Sequence, residues 1–142
     1  MLSLKVDLSG NKEARQAMHR LSVAAPDALH RVLQRFAMRV EGTAKRSLQS
    51  GDKSGRIYKL KGGKTHRASA RGEAPATRTG RLVGSVTSHV TKIEAGIGSP
   101  LDYAAILEDA MGLDRPFIKP ALDQHLVTLE EELLEAWARA AR

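Results

Sequence analysis

The first residues of the chain alternate between apolar and polar side chains. Residues 2–8 keep this period of two, which is typical of a strand with one buried face. Residues 9–11, Ser-Gly-Asn, predict a turn because Gly and Asn tolerate positive φ angles. A short helix is then predicted from Lys12 to about Leu21. Its apolar face would consist of Ala14, Ala17, Met18 and Leu21.

The strongest helical pattern follows Pro26, a residue that is favoured in the first turn of a helix. Apolar residues recur there at spacings of three and four, which places them on one helical face. They are Leu29, Val32, Leu33, Phe36, Ala37, Val40, Ala44 and Leu48. We therefore predict a long helix over residues 27–48 with this face buried.

Three arginines, Arg31, Arg35 and Arg39, form a row on another side of this helix. One interpretation is an ordinary solvated face. The other is a basic surface that contacts phosphates or the acidic groups of a partner. The sequence leaves both open.

Between Gln49 and Gly80 the periodic pattern is lost. This segment contains six glycines, and its sizeable apolar residues are Ile57, Tyr58 and Leu60. A segment that buries so little apolar area cannot offset the entropy of ordering. We therefore predict that residues 49–80, here called the arm, are mobile in isolation and become ordered on assembly.

The remaining elements are predicted from residues 79–140. Thr79 is a candidate N-cap for a short helix. Residues 85–91 are rich in β-branched side chains and residues 94–98 form a second apolar run, so we predict a hairpin of two strands here. A short helix is expected from Leu101 to about Ala110. Its inward residues would be Tyr103, Ile106 and Leu107, and the stripe of the last helix would be Leu122, Leu126, Leu129, Leu133, Trp137 and Ala140.

These elements predict one α+β domain over residues 1–142. It would contain a small antiparallel sheet, formed by the N-terminal strand and a hairpin, packed against two longer helices. The arm would be a long mobile basic loop within that domain.

Charge is unevenly distributed along the chain, whose net charge is +7. Residues 51–82 contain nine basic and two acidic residues, whereas residues 83–142 contain five basic and ten acidic residues. Such asymmetry indicates nucleic acid, or partners and neighbouring copies of opposite charge. With five aromatic residues in the chain, a stacking platform for single-stranded nucleic acid is not expected.

The candidate chemistry is sparse. There is no cysteine, and the five histidines lack the spacing of metal ligands. Glu108 and Asp109 are adjacent, so on a helix they point in different directions, and we interpret them as solvated charges at a helix end rather than a catalytic pair. No apolar run approaches the roughly 20 residues of a membrane span. We predict no enzyme activity, no cofactor, no metal and no membrane contact.

An ordered series of short segments runs through the middle and end of the chain. They are residues 66–75 (HRASARGEAP), 79–82 (TGRL) with Ser85-Val86, 96–100 (GIGSP), Tyr103-Ala104 with Leu107-Glu108, and 115–122 (RPFIKPAL). In this order and spacing, over roughly residues 50–123, the chain resembles the tail-completion, or neck, family of long-tailed bacteriophages and prophages.

The resemblance implies a structural protein of the virion, assembled in the bacterial host cytoplasm, that joins the head connector to the tail tube. It implies a ring around the DNA passage, with connector and tail-tube or tail-terminator proteins as partners. In such a ring the basic arm and the acidic last helix are candidates for pairing between copies. The candidate contact residues are Arg56, Lys59, Lys61, Lys64, Arg67, Arg71, Arg78, Arg81, Phe117, Glu131 and Glu135.

Two questions stay open at this point. Phe117 is either a core residue or an anchor between subunits. The alternative function is non-specific DNA binding through the arm and the helix over residues 27–48, with Arg31, Arg35 and Arg39 as candidate phosphate contacts.

Overall fold

The fold is known from a computed structural model that describes residues 2–5, 12–51, 53–109 and 111–142. The predicted strand residues 6–8 and the turn at 9–11 lie outside these ranges. Within the described residues the chain forms five helices and five strands. The helices are α1 (Lys12–Ala24), α2 (Pro26–Gln49), α3 (Arg81–Ser85), α4 (Asp102–Glu108) and α5 (Ile118–Ala140). The strands are β1 (Leu2–Lys5), β2 (Ile57–Lys59), β3 (Thr65–Arg67), β4 (Thr87–Val90) and β5 (Ala95–Ser99).

Helix α2 is the centre of the core. All eight residues of its predicted apolar face are buried, with Phe36 at the middle of that face. Pro26 lies in the first turn, where its missing N–H costs no hydrogen bond. At the other end the backbone N–H of Ser50 donates to the carbonyl of Arg46 and closes the last turn. The prediction of a long helix here is confirmed.

Helices α1 and α5 pack against α2 and against each other. From α1, Ala17 and Leu21 enter the core, and from α5, Leu129 and Leu133 do so. Trp137 lies at the edge of this layer, where the guanidinium of Arg20 stacks 4.6 Å from the centre of its ring. Ala140, expected on the buried stripe, is exposed.

A three-stranded antiparallel sheet, in the order β1-β5-β4, packs against α2 through β4 and β5. The central strand β5 pairs with both neighbours, so that Ile97 lies opposite Leu4 on one side and Ser88 on the other. Ala95 and Ile97 are buried in the same core as α2. The α+β fold with a small sheet packed against the longer helices is therefore confirmed.

Two details of the predicted elements are wrong. The N-cap of α3 is Gly80 rather than Thr79, and Gly80 has a φ angle of 76°, which a residue with a side chain rarely adopts. In α4 the buried residue is Ala104, whereas Tyr103 and Ile106 are exposed. Leu107, the third residue that was predicted to face inward, is partly buried and packs against the core.

Glu108 has a structural role that the sequence did not indicate. One carboxylate oxygen accepts the N–H groups of Phe117 and Ile118 at 3.0 and 3.1 Å, and the other accepts the N–H of Lys119 at 2.6 Å. These are donors at the start of α5 that have no partner within the helix. The end of α4 is thereby fixed to the start of α5, and Glu108 is not a freely solvated charge.

We predict that Glu108→Ala lowers the free energy of unfolding by about 1–3 kcal/mol, because it leaves part-buried backbone donors without an acceptor. Urea denaturation measures the change. The matched control is Asp123→Ala, which removes an exposed carboxylate paired with Lys119 on the same helix. We expect less than about 0.5 kcal/mol there, and an equal loss in the two variants would contradict the capping role.

Candidate partner-binding surface

The arm contains regular structure that the sequence analysis did not predict. Strands β2 and β3 form an antiparallel hairpin in which Tyr58 lies opposite His66. Gly62 and Gly63 make the turn with φ angles of 84° and 76°. The hairpin is too short for the alternation of a longer strand, which explains why periodicity missed it.

Gly55 is required where the hairpin begins. A Cβ atom at this position would lie 2.5 Å from the backbone oxygen of Ala68, because the two chain segments run side by side there. The Gly55 N–H donates to that same oxygen at 2.9 Å, and the Ala68 N–H donates to the oxygen of Arg56. The close approach extends the ladder of the hairpin to its base.

Glu73 organises the base of the arm. Its carboxylate accepts the backbone N–H groups of Ser54 at 3.0 Å and Ala70 at 2.8 Å, and also the hydroxyl of Ser54. The hydroxyl of Ser54, followed by the two backbone donors, lowers the pKa of Glu73 to about 2. One ionised side chain thus joins both ends of the arm.

Two further contacts tie this base to the end of α2. The Lys53 ammonium donates to the carbonyls of Ser47 and Ala74 at 3.2 and 2.7 Å. Burial lowers the pKa of Lys53, against the opposing effect of the Glu73 charge. The hydroxyl of Thr77 donates to the carbonyl of Leu48 at 2.5 Å. The base of the arm is therefore held by polar contacts, while the hairpin beyond it is exposed. Mobility of the arm in isolation stays a prediction.

The candidate contact residues of the arm lie at its surface. Arg56 places its guanidinium 5.6 Å from the ring centre of Tyr58, and Arg71 approaches Asp114 at 3.5 Å. The remaining basic candidates, all exposed, are Lys59, Lys61, Lys64, Arg67, Arg78 and Arg81.

Arg78 and Arg81 contribute to a groove of about 320 Å³ between the arm, α3 and α4. Arg115 and His66 also line it, Tyr103 and Leu107 of α4 form an apolar wall, and the described residues that line it include no acidic side chain. We call this the basic groove. The Nε atom of Arg115 is buried and has no hydrogen-bond partner among the described residues.

Sequence reasoning missed three contributors to the basic groove, namely His66, Tyr103 and Arg115. Each comes from a different part of the chain, and only the packing of the arm beside α4 brings them together. One feature of the sequence could have pointed to them: all three residues lie within the short segments that carry the family resemblance.

Phe117 is a core residue. Its side chain is 1% exposed and packs in the same cluster as α2. The interpretation of Phe117 as an anchor between subunits is therefore wrong for this structure, because the residue offers no surface to a partner.

The arginine row of α2 is partly neutralised within the chain. Arg39 contacts the Glu132 carboxylate of α5 at 2.7 Å, and Arg35 approaches the same group at 3.7 Å. Arg39 is half-buried, while Arg31 and Arg35 are exposed. Arg39 is thus not a free phosphate contact, and the row as a whole is weaker as an anion surface than its sequence suggested.

The acidic candidates of α5, Glu131 and Glu135, are both exposed. Glu135 forms an ion pair with Arg139 one turn later, at 3.1 Å. Glu131 forms no ion pair within the part of the chain that the structure describes. The structure does not bring either residue to the arm of the same chain.

The titratable groups with shifted pKa values have structural partners. Burial raises the pKa of Glu41, but hydrogen bonds from Lys45 and Ser88 outweigh it and the net pKa is lowered. Burial, followed by the charges of Arg39 and Arg46, lowers the pKa of His125.

Over the described ranges there is no group of three or more His, Asp or Glu that would suit a metal ion. No helix there is long and apolar enough to cross a membrane.

Comparison with known proteins adds no relative. No protein family, curated protein or solved structure matches the chain.

We predict that the backbone N–H signals of Ser54 and Ala70 titrate with a midpoint near pH 2 in an NMR pH series, since they report the Glu73 carboxylate. A lowered pKa means that the contribution of Glu73 to the arm is complete above its ordinary value of 4.5 and is lost as the pH falls through about 2. In Glu73→Gln this titration should be absent. A midpoint near 4.5 would show that the carboxylate does not hold the arm.

Proposed function

We propose that the protein is a structural component of a phage or prophage virion that joins the head connector to the tail tube during assembly. It would act as a ring around the DNA passage, without catalysis. The family resemblance of residues 50–123 is the starting point of this proposal, and the character of the arm supports it independently.

The observation that carries the proposal is a hairpin with no core of its own. A two-stranded hairpin is at best marginally stable in water. Here β2 is exposed throughout, including Ile57 and Tyr58, and β3 buries only part of His66. An exposed apolar and basic hairpin gains stability when another surface covers it, as happens when a subunit joins an assembly.

The same chain has surfaces of both signs. The arm and the basic groove are positive, whereas the outward side of α5 is negative. Heterologous contacts between copies use two different surfaces, and they close into a ring when the rotation between copies permits. This arrangement favours assembly with connector, tail-tube or tail-terminator proteins over the binding of a small molecule.

Non-specific DNA binding is the second candidate function. The exposed cations of the arm, with Arg31 and Arg35, favour it because such binding requires only positive charge along the backbone of the duplex. The ion pair of Arg39 with Glu132 weakens the α2 part of that surface. The two functions differ in one requirement: a DNA-binding protein must bind duplex DNA on its own at physiological salt, and a head–tail joining protein need not.

We expect amide hydrogen exchange across the exposed hairpin, residues 56–67, to be rapid in the free protein and to slow at least about tenfold when connector or tail-tube rings are added. Residues 29–48 of α2 serve as the internal control, since they are buried in either state. Protection of the arm in the free protein that does not change with these rings would contradict the proposal.

For duplex DNA we expect measurable affinity at low salt that disappears at about 0.15 M salt. The logarithm of the binding constant falls linearly with the logarithm of the salt concentration, and each phosphate contact contributes about 0.9 to the steepness of that slope. Changing Lys59, Lys61 and Lys64 to alanine should lower the slope by about 3. The matched control changes three exposed cations outside the arm to alanine, namely Lys12, Arg15 and Lys92. Tight binding at 0.15 M salt that only the arm variant loses would favour the DNA-binding function instead.

A further inference from the structure

We infer that the basic groove is the docking site for helix α5 of a second copy of this chain. The inference rests on the proposed function, and it adds which two surfaces meet. On α5 the contact would be made by an outer face that consists of Val127, Glu131 and Leu134.

The outer face of α5 is apolar and acidic at once. Val127, Glu131 and Leu134 are spaced by four and three residues, so they lie on one side of the helix. Val127 is 66% exposed and Leu134 37% exposed, whereas Leu129 and Leu133 of the same helix are buried in the core. Glu130 and Glu135 flank this face, and Glu131 lies at its centre. An apolar helix face that its own chain does not cover is typical of a helix that packs on a partner.

The basic groove has the complementary character. Its polar side is formed by Arg78, Arg81 and Arg115, and its apolar wall includes Tyr103, which is 40% exposed. Leu107, one turn along α4 from Tyr103, completes this apolar wall. Ile106 and Leu113 are also exposed, and the Leu113 N–H donates to the Ile106 carbonyl. A strip of apolar surface thus runs beside a strip of arginines.

Charge complementarity selects α5 of another copy as the occupant. The exposed guanidinium groups of Arg78 and Arg81 in the groove match carboxylates on a helix. The apolar strip on α4 would be covered by Val127 and Leu134, which a phosphate backbone does not provide. Within one chain α5 does not occupy the groove: its packing against α1 and α2 fixes its position, and none of the described residues that line the groove belongs to α5.

Docking of α5 into the groove of the next copy is a heterologous contact. Each copy would use its groove toward one neighbour and its α5 toward the other, which generates a ring or an open filament rather than a closed pair. It also accounts for the opposite charge of residues 51–82 and 83–142 within one small chain.

The test uses disulfide trapping, for which the absence of cysteine from the chain provides a clean background. One population carries Thr79→Cys in the groove and the other carries Val127→Cys on α5, and the two full-length proteins are mixed under mild oxidation. We expect the mixed dimer to exceed either homodimer by about tenfold, because only opposite surfaces meet. The matched control replaces Val127→Cys by Met38→Cys, an equally exposed apolar position on α2, and should give background trapping.

A charge exchange keeps the test independent of local folding. Arg81→Glu in the groove population should reduce trapping about tenfold, and Glu131→Lys in the α5 population should restore it. Trapping at the background level, or a loss that Glu131→Lys does not restore, would overturn the inference. So would a groove that binds duplex DNA in an Arg81-dependent manner and traps no α5, since this would assign the groove to nucleic acid.

The outcome is separable from that of the proposed function. Trapping between copies, without addition of the protein to connector or tail-tube rings, would support the interface and contradict the role in head–tail joining. If the protein adds to those rings but no disulfide forms between copies, either in the rings or in solution, the role in head–tail joining stays supported and the proposed interface is overturned.

Discussion

Burial of one face of α2 is the constraint on which the rest of the structure depends. Eight side chains from Leu29 to Leu48 are buried along 24 residues of helix. Helices α1 and α5 cover one side of this stripe, and strands β4 and β5 cover another. Removal of a single buried leucine from such a core costs about 2–5 kcal/mol, which is a large part of the stability of a small domain. Helices α1 and α5 and strands β4 and β5 are therefore placed against α2, while α1 also packs on α5 and β1 is held by its pairing with β5.

Polar contacts extend this core toward the parts that carry function. The Glu41 carboxylate of α2 accepts the N–H of Ser88 on β4, and Glu108 joins α4 to the start of α5. At the far end of α2, Lys53 and Glu73 hold the base of the arm. The arm is thus anchored where it leaves the core and has no apolar support beyond that point. A rigid base with an exposed hairpin suits a segment that completes its packing on a partner.

The structure separates charges that are satisfied within the chain from charges that are not. Glu132 is used internally by Arg39, so α2 and α5 neutralise each other where they meet. What is left is positive on the arm and in the basic groove, and negative on the outside of α5. This division links the fold to assembly: the residues that hold the helices together are not those that face a neighbour, so docking need not disturb the core.

Sequence alone determined the helices, the sheet strands near the C-terminal half and the buried face of α2, because apolar periodicity is a local property of the chain. It also located the basic arm, because the excess of basic residues and glycine in this segment is visible in the amino-acid sequence itself. Only the tertiary structure decided that Phe117 is buried, that Arg39 is paired and that Glu108 caps α5, because each depends on a residue distant along the chain. The basic groove is the clearest case. His66, Tyr103 and Arg115 are unremarkable where they stand in the sequence, and they become one surface only when the arm packs beside α4.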